Sequence, residues 1–207
     1  MLFEYLQFLI QYTLIYFYFL FVGRSFSIIF VRYLFKNLDI SEKIFNIKLV
    51  TLYPILGLVF TGNILVILNF IFPLNSPFVY GLLIALLVPN LFQIQKNINF
   101  NFLNIIYYLI IPGILIFSTF DIPFHYDAGY YHLNTQNWLR ETNMVMGFVN
   151  IFWPFGMSSI YEYISAILWI GNNFLFLHFL NLIFIHLFYL VILDLFIFSK
   201  YIELKNT

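Results

Sequence analysis

Apolar residues fall in long runs along this chain. Stretches rich in Phe, Ile, Leu and Tyr fill roughly 5–22, 50–70, 78–95, 102–120, 158–170 and 174–198, with polar segments between them. A bilayer core about 30 Å thick is crossed by about 20 apolar residues in a helix. The pattern predicts an all-α polytopic membrane protein with about five or six transmembrane helices, forming a single membrane domain over 1–207. The second run contains Pro54, Gly57 and Gly62, and the third has Pro89 near its end. Membrane helices tolerate both residue types, because neighbouring groups re-satisfy the backbone. The fifth run is the weakest. No alternation suited to a membrane barrel is present. Residues 1–22 lack a basic start and a small-residue cleavage site, so they read as a retained helix.

Composition supports the same solvent. The chain is 63% hydrophobic, 23% aromatic and only 9% charged, where a soluble domain carries roughly 25% charged residues. Zero net charge removes the electrostatic case for nucleic acid. With no cysteine, disulfides, thiolate metal sites and a cysteine nucleophile are excluded.

Charge placement sets an orientation. Arg24, Arg32, Lys36, Lys43 and Lys48 are five of the nine basic residues and fall between the first two runs. Lys96 lies between the third and fourth. By the positive-inside rule these segments face the cytoplasm, and the N-terminus and residues 121–157 face outward. Residues 24–49 mix basic and apolar side chains. That suits an amphipathic helix on the cytoplasmic leaflet or a lipid head-group site.

The external loop 121–157 is where chemistry concentrates. Its stretch HYDAGYYHLNTQNWLRE, 125–141, carries Asp127, two histidines, Arg140 and Glu141 amid apolar surroundings. Asp127 is placed to cap a helix running to about Glu141. On that helix Asp127, Tyr131, Asn134 and Trp138 share one face, and Tyr and Trp suit a helix lying in the membrane interface. The candidate residues are Asp127 as an interfacial carboxylate, with His125, Tyr131, His132, Trp138 and Arg140 around it. Blander readings stand beside these. Asp127 suits a plain cap, His132 a hydrogen-bonded interface histidine, and Asp121 an end-of-helix charge. Trp153 and Tyr161 suit belt residues. The spacing of His125, Asp127 and His132 matches no tight metal site, so no metal centre or cofactor is expected, although a divalent cation is left open.

Glu162, His178, His186 and Asp194 lie within apolar runs. Such residues usually face a bundle interior or a cavity. The last three recur every eight residues, which suits a helix-packing face or a polar path of a transporter or flippase.

Asp127-Ala-Gly-Tyr-Tyr131-His132-Leu133, followed by Trp138, resembles a motif of polytopic glycosyltransferases of the GT-C type, in the bacterial mannosyl- and arabinosyltransferase-like group. The resemblance spans about 45 residues, from Asp121 to Ala166, and includes Phe155-Gly156-x-Ser158-Ser159. It implies transfer of a sugar from a polyprenyl-phosphate donor to a glycan or lipid acceptor at the external membrane face, with Asp127 as catalytic base. Tyr131 and His132 would shape the site, with His132 holding the donor phosphate or orienting the acceptor, and Arg140 would pair with phosphate. It further implies membrane lipid as a partner, and the bacterial inner (cytoplasmic) membrane as the location. The resembled enzymes continue with Pro where this chain has Asn134, place the loop after their first helix, and have more helices. The chain is therefore expected to be a short relative or an N-terminal part, with a partner membrane subunit. The alternative is a non-catalytic transporter-like or accessory subunit.

Overall fold

The computed structural model describes residues 2–34, 43–44, 47–92, 102–119, 125–156, 159–169 and 174–206. The fold is all-α. Three helices are long and apolar enough to cross a membrane, over Leu2–Phe30, Leu49–Asn69 and Phe176–Phe196.

Helix α1 runs Leu2–Leu34. It is longer than its apolar run, because Arg24 and the residues after it continue the helix. A two-residue antiparallel pairing follows, β1 (Lys43–Ile44) with β2 (Ile47–Lys48). The rest of the expected amphipathic segment, and Lys96, lie outside the described residues. Helix α2, Leu49–Asn69, packs back along α1. The crossing is very close. A Cβ on Gly57 would fall 1.9 Å from the Phe19 carbonyl oxygen, and one on Gly23 would fall 1.8 Å from the Tyr53 oxygen. Only hydrogen fits at either position.

Helix α3, Pro77–Ala85, opens with Pro77 at its first turn, and Ser76 Oγ accepts the Val79 N–H. It breaks after nine residues and resumes as a 3₁₀ turn, Val88–Phe92. Helix α4 (Phe102–Ile105), a π-helical turn (Ile106–Ile110) and α5 (Ile111–Ile116) form one run, ending in a 3₁₀ turn at Thr119. Pro112 lacks an N–H, and the π turn ahead of it absorbs the interruption. Within the spans expected at 78–95 and 102–120, the described apolar helical stretches are Pro77–Leu91 and Ile106–Thr119, interrupted by the 3₁₀ and π turns and below the length of a full crossing.

Contacts fix the helix directions. Tyr18 donates to Leu83 O and Asn90 to Phe21 O, so α3 runs with α1. Tyr5 donates to Gly113 O while Tyr16 meets Tyr108, so α5 runs against it. Helix α8, Leu175–Asn206, runs with α1, since Phe8 meets Phe179 and Tyr12 meets His186.

The external segment departs most from expectation. Helix α6 is Leu133–Glu141 and α7 is Ile160–Ile167. Eight residues make about 12 Å of helix, so α7 does not cross a bilayer on its own. Six consecutive residues, Glu162 to Ile167, are buried. It is a core helix, with Ile160 and Ile164 against Gly62 of α2. Helix α6 packs beside α7, with Thr135, Gln136 and Leu139 buried. Its docked face is the Thr135–Gln136–Leu139 side, away from the face expected at the membrane interface. Asn134 is exposed. A π-helical turn at Ala128–His132 also breaks the expected stripe: one residue beyond the α repeat shifts Asp127 relative to Asn134 and Trp138.

Candidate functional site

The π turn sets the geometry around Asp127. Leu133 N–H donates to Ala128 O, five residues back. In an α-helix residues five apart diverge by about 140°, since each residue advances about 100°. An i→i+5 turn instead stacks them. Asp127 and His132 are five apart, so the turn stacks their backbone positions. Their side chains are each partly open, at 35% and 42% exposure.

Asp127 does not cap the helix. Its backbone is already helical and its side chain makes no capping bond. The carboxylate instead faces its neighbours. His125 Nδ1 lies 3.3 Å from Asp127 Oδ2 and 3.4 Å from the Asp127 backbone nitrogen. One ring nitrogen cannot serve both at once. Protonated, it donates to the carboxylate; unprotonated, it accepts the backbone N–H. The Tyr126 phenol is held above its usual range by its hydrogen bond to Asp127 and then by that residue's charge.

Behind this outward pair lies a buried polar chain between α6 and α7. His132 Nδ1 stands 2.5 Å from Glu162 Oε1, and Gln136 Nε2 donates to Glu162 Oε2 at 2.7 Å. Trp169 Nε1 donates to Gln136 Oε1 at 2.8 Å. One turn further on α6, Arg140 Nη1 donates to Trp169 O at 2.7 Å and to Ala166 O at 3.3 Å. Its guanidinium also lies 5.1 Å over the Trp169 ring. Arg140 thus satisfies carbonyls at the end of α7, where a cation complements the helix dipole. It faces the protein, not an external phosphate. His132, Gln136 and Arg140 recur at four-residue spacing, a single helical stripe.

Trp138 and Tyr131 hold other positions. The Trp138 ring stacks on Phe148 at 4.0 Å and meets Phe155 edge-on at 4.5 Å. Together they wall an apolar cleft of about 180 Å³, also lined by Thr135, Met144 and Tyr163. Tyr131 is half-buried with its ring 4.1 Å from His132. Trp153 is largely exposed, and Tyr161 donates to Asn181 Oδ1 at 3.0 Å. Asp121 lies outside the described residues.

The structure therefore sets His125 beside Asp127 and Tyr131 beside His132, and turns Arg140 inward. Gln136 and Trp169 were not singled out from the sequence, and Glu162 only as a polar residue within an apolar run. The signal was there: His132, Gln136 and Arg140 at i, i+4, i+8, facing a lone acid in an apolar run.

Two members of the α8 stripe, His186 and Asp194, make packing contacts. Asp194, 4% exposed, accepts from Thr51 Oγ1 at 2.7 Å and the Lys48 backbone N–H at 3.2 Å, with Lys48 Nζ at 3.3 Å. Tyr107 donates to its other oxygen at 3.4 Å. His186 Nε2 lies 2.7 Å from Tyr107 O. A carbonyl only accepts, so Nε2 carries hydrogen and Nδ1 takes the Tyr12 hydroxyl at 2.9 Å. His186 and Asp194 thereby tie α1, α2, the Tyr107 turn and α8 together. Among the described residues, no three His, Asp or Glu stand together as a metal cage.

The chain belongs to a family described as "Domain of unknown function (DUF8201)", whose sequence model matches residues 5–207. Compared with curated proteins and with solved structures, it matches none.

Proposed function

We propose that this protein is a GT-C-like glycosyltransferase, or the N-terminal part of one, working at the external face of a bacterial cytoplasmic membrane. The observation that carries the reading is Asp127. It is a partly exposed carboxylate at a π-helical turn, a geometry enriched at functional sites, beside His125 and Tyr126. In the proposed step Asp127 takes the proton of an acceptor hydroxyl. The acceptor oxygen bonds to the sugar anomeric carbon as the bond from that carbon to the phosphate oxygen breaks. The bond's electron pair leaves with the polyprenyl phosphate. A positioned base of this kind contributes about 10²–10⁴-fold.

In this reading Pro77–Leu91 and Ile106–Thr119 also cross the bilayer. Their alternating directions along α1 support that. The donor phosphate needs a cation. Arg140 is the single basic residue of the external loop and already holds α7. That favours a partner membrane subunit supplying the phosphate-binding charge. The same inward Arg140 favours the second reading, an accessory subunit without activity of its own.

The test is transfer by the native chain in proteoliposomes, from a panel of polyprenyl-phosphate sugars to a glycan or lipid acceptor. Sugar appearing on the acceptor supports the enzyme. No transfer from any donor, with or without co-expressed neighbours, leaves the accessory reading.

A further inference from the structure

We infer that Glu162 is a positioning residue for His132, and that the outward edge of His132 takes a hydroxyl-bearing ligand rather than a phosphate. The ligand's identity as the acceptor rests on the glycosyltransferase reading; the geometry of His132 and Glu162 does not.

The hydrogen bonds run outward from Trp169. An indole N–H only donates, so the Gln136 oxygen must face Trp169 and its amide N–H must face Glu162. Glu162, with its side chain 6% exposed, then receives one donor on Oε2. Its other oxygen stands 2.5 Å from His132 Nδ1. A carboxylate only accepts, so the hydrogen between them sits on Nδ1. The tautomer of His132 is thereby fixed by a buried carboxylate whose own orientation is fixed by two further side chains. Such an outer partner commonly sets which ring nitrogen does the work.

What remains is His132 Nε2. Among the described residues it has no hydrogen-bond partner, and the side chain is 42% exposed. In the neutral ring it is an acceptor. An open acceptor calls for a donor, which a hydroxyl group supplies. A phosphate needs a cation, and Arg140, the one Lys or Arg of the external loop, is bound to the Ala166 and Trp169 carbonyls. The exposed rings of Tyr126 and Tyr130, at 75% and 60%, offer flat apolar faces of the kind sugar rings stack on.

The test is nitrogen NMR of the full chain labelled with ¹⁵N-histidine in lipid nanodiscs. The chain has four histidines, so His125→Gln, His132→Gln, His178→Gln and His186→Gln assign the signals. The expected result is a neutral His132 in the Nδ1–H form, with loss of that form or a mixture in Glu162→Gln. His132 as the Nε2–H tautomer in the native chain, or a tautomer unmoved by Glu162→Gln, overturns the positioning role. If Glu162→Gln fails to accumulate, the native spectrum alone decides. Inorganic phosphate is expected to leave the His132 nitrogens unmoved. A phosphate-dependent shift that vanishes in His132→Gln overturns the hydroxyl assignment. None of these readouts needs sugar transfer. A chain that transfers nothing but shows the Nδ1–H form retires the activity and keeps the pair.

Discussion

His132 and Glu162 meet at 2.5 Å across two helices although thirty residues separate them in the chain. The contact makes α6 part of the folded core and not a free interfacial helix. Hydrogen bonds to a charged group contribute about 1.5–3 kcal/mol each, and a buried group left unsatisfied costs about 1–3 kcal/mol. Gln136→Leu strips Glu162 of one donor and Trp169 of its acceptor. We expect it to lower stability by about 1–3 kcal/mol, read as an earlier melting transition in detergent. A variant melting with the native chain would mean the network does not hold α6.

The α1–α2 crossing makes a sharper structural prediction. Gly57→Ala would put a methyl 1.9 Å from a backbone oxygen, which cannot rotate away. The helices must part, at about 1–3 kcal/mol, the usual cost of overpacking. Gly81→Ala is the control, since nothing lies within 4 Å of its Cβ position. It should match the native chain or exceed it by up to about 1 kcal/mol. Equal melting of the two variants would contradict the close crossing.

The two clusters differ in how legible they were. The apolar runs located α1, α2 and α8, because burial in lipid demands unbroken hydrophobicity and little else. The same signal misjudged 158–170. A helix buried by protein and one buried by lipid have equally apolar sequences, and only the eight-residue length of α7 separates them. Asp127 and His132 were found by their polarity. Their mutual placement was not, because the π turn at Ala128–His132 leaves no mark in the spacing of side chains. Arg140 was expected to meet a phosphate because it is the one Lys or Arg of the external loop. The open carbonyls of α7 competed for it and won.

Asp194 should behave as a clamp. Asp194→Leu removes the acceptor shared by Thr51, Tyr107 and Lys48. Lys48 is 41% exposed and can recover water, so the loss should be about 1–3 kcal/mol. Lys48→Ala should cost no more than about 1 kcal/mol. Thermal unfolding of both variants checks the ranking, and a larger loss for Lys48→Ala would contradict it.

The Tyr126 phenol offers a pH readout at the site itself. Its hydrogen bond to Asp127, and then the charge there, favour the neutral ring. The sign follows: Tyr126 keeps its proton through the ordinary tyrosine range near about 10 and loses it only at higher pH. Asp127→Asn should move the titration down. Carbon NMR of labelled tyrosine would show this, and a titration unmoved by Asp127→Asn would mean the two side chains do not interact.

The most direct test of the central claim is the rate of sugar transfer by Asp127→Asn, measured beside the native chain at equal protein levels in the same proteoliposomes. If Asp127 is the base, kcat falls by about 10²–10⁴-fold with little change in KM, and the His132 tautomer stays as it was. Transfer by Asp127→Asn within a few-fold of the native rate would contradict the account and move the chemistry to another residue.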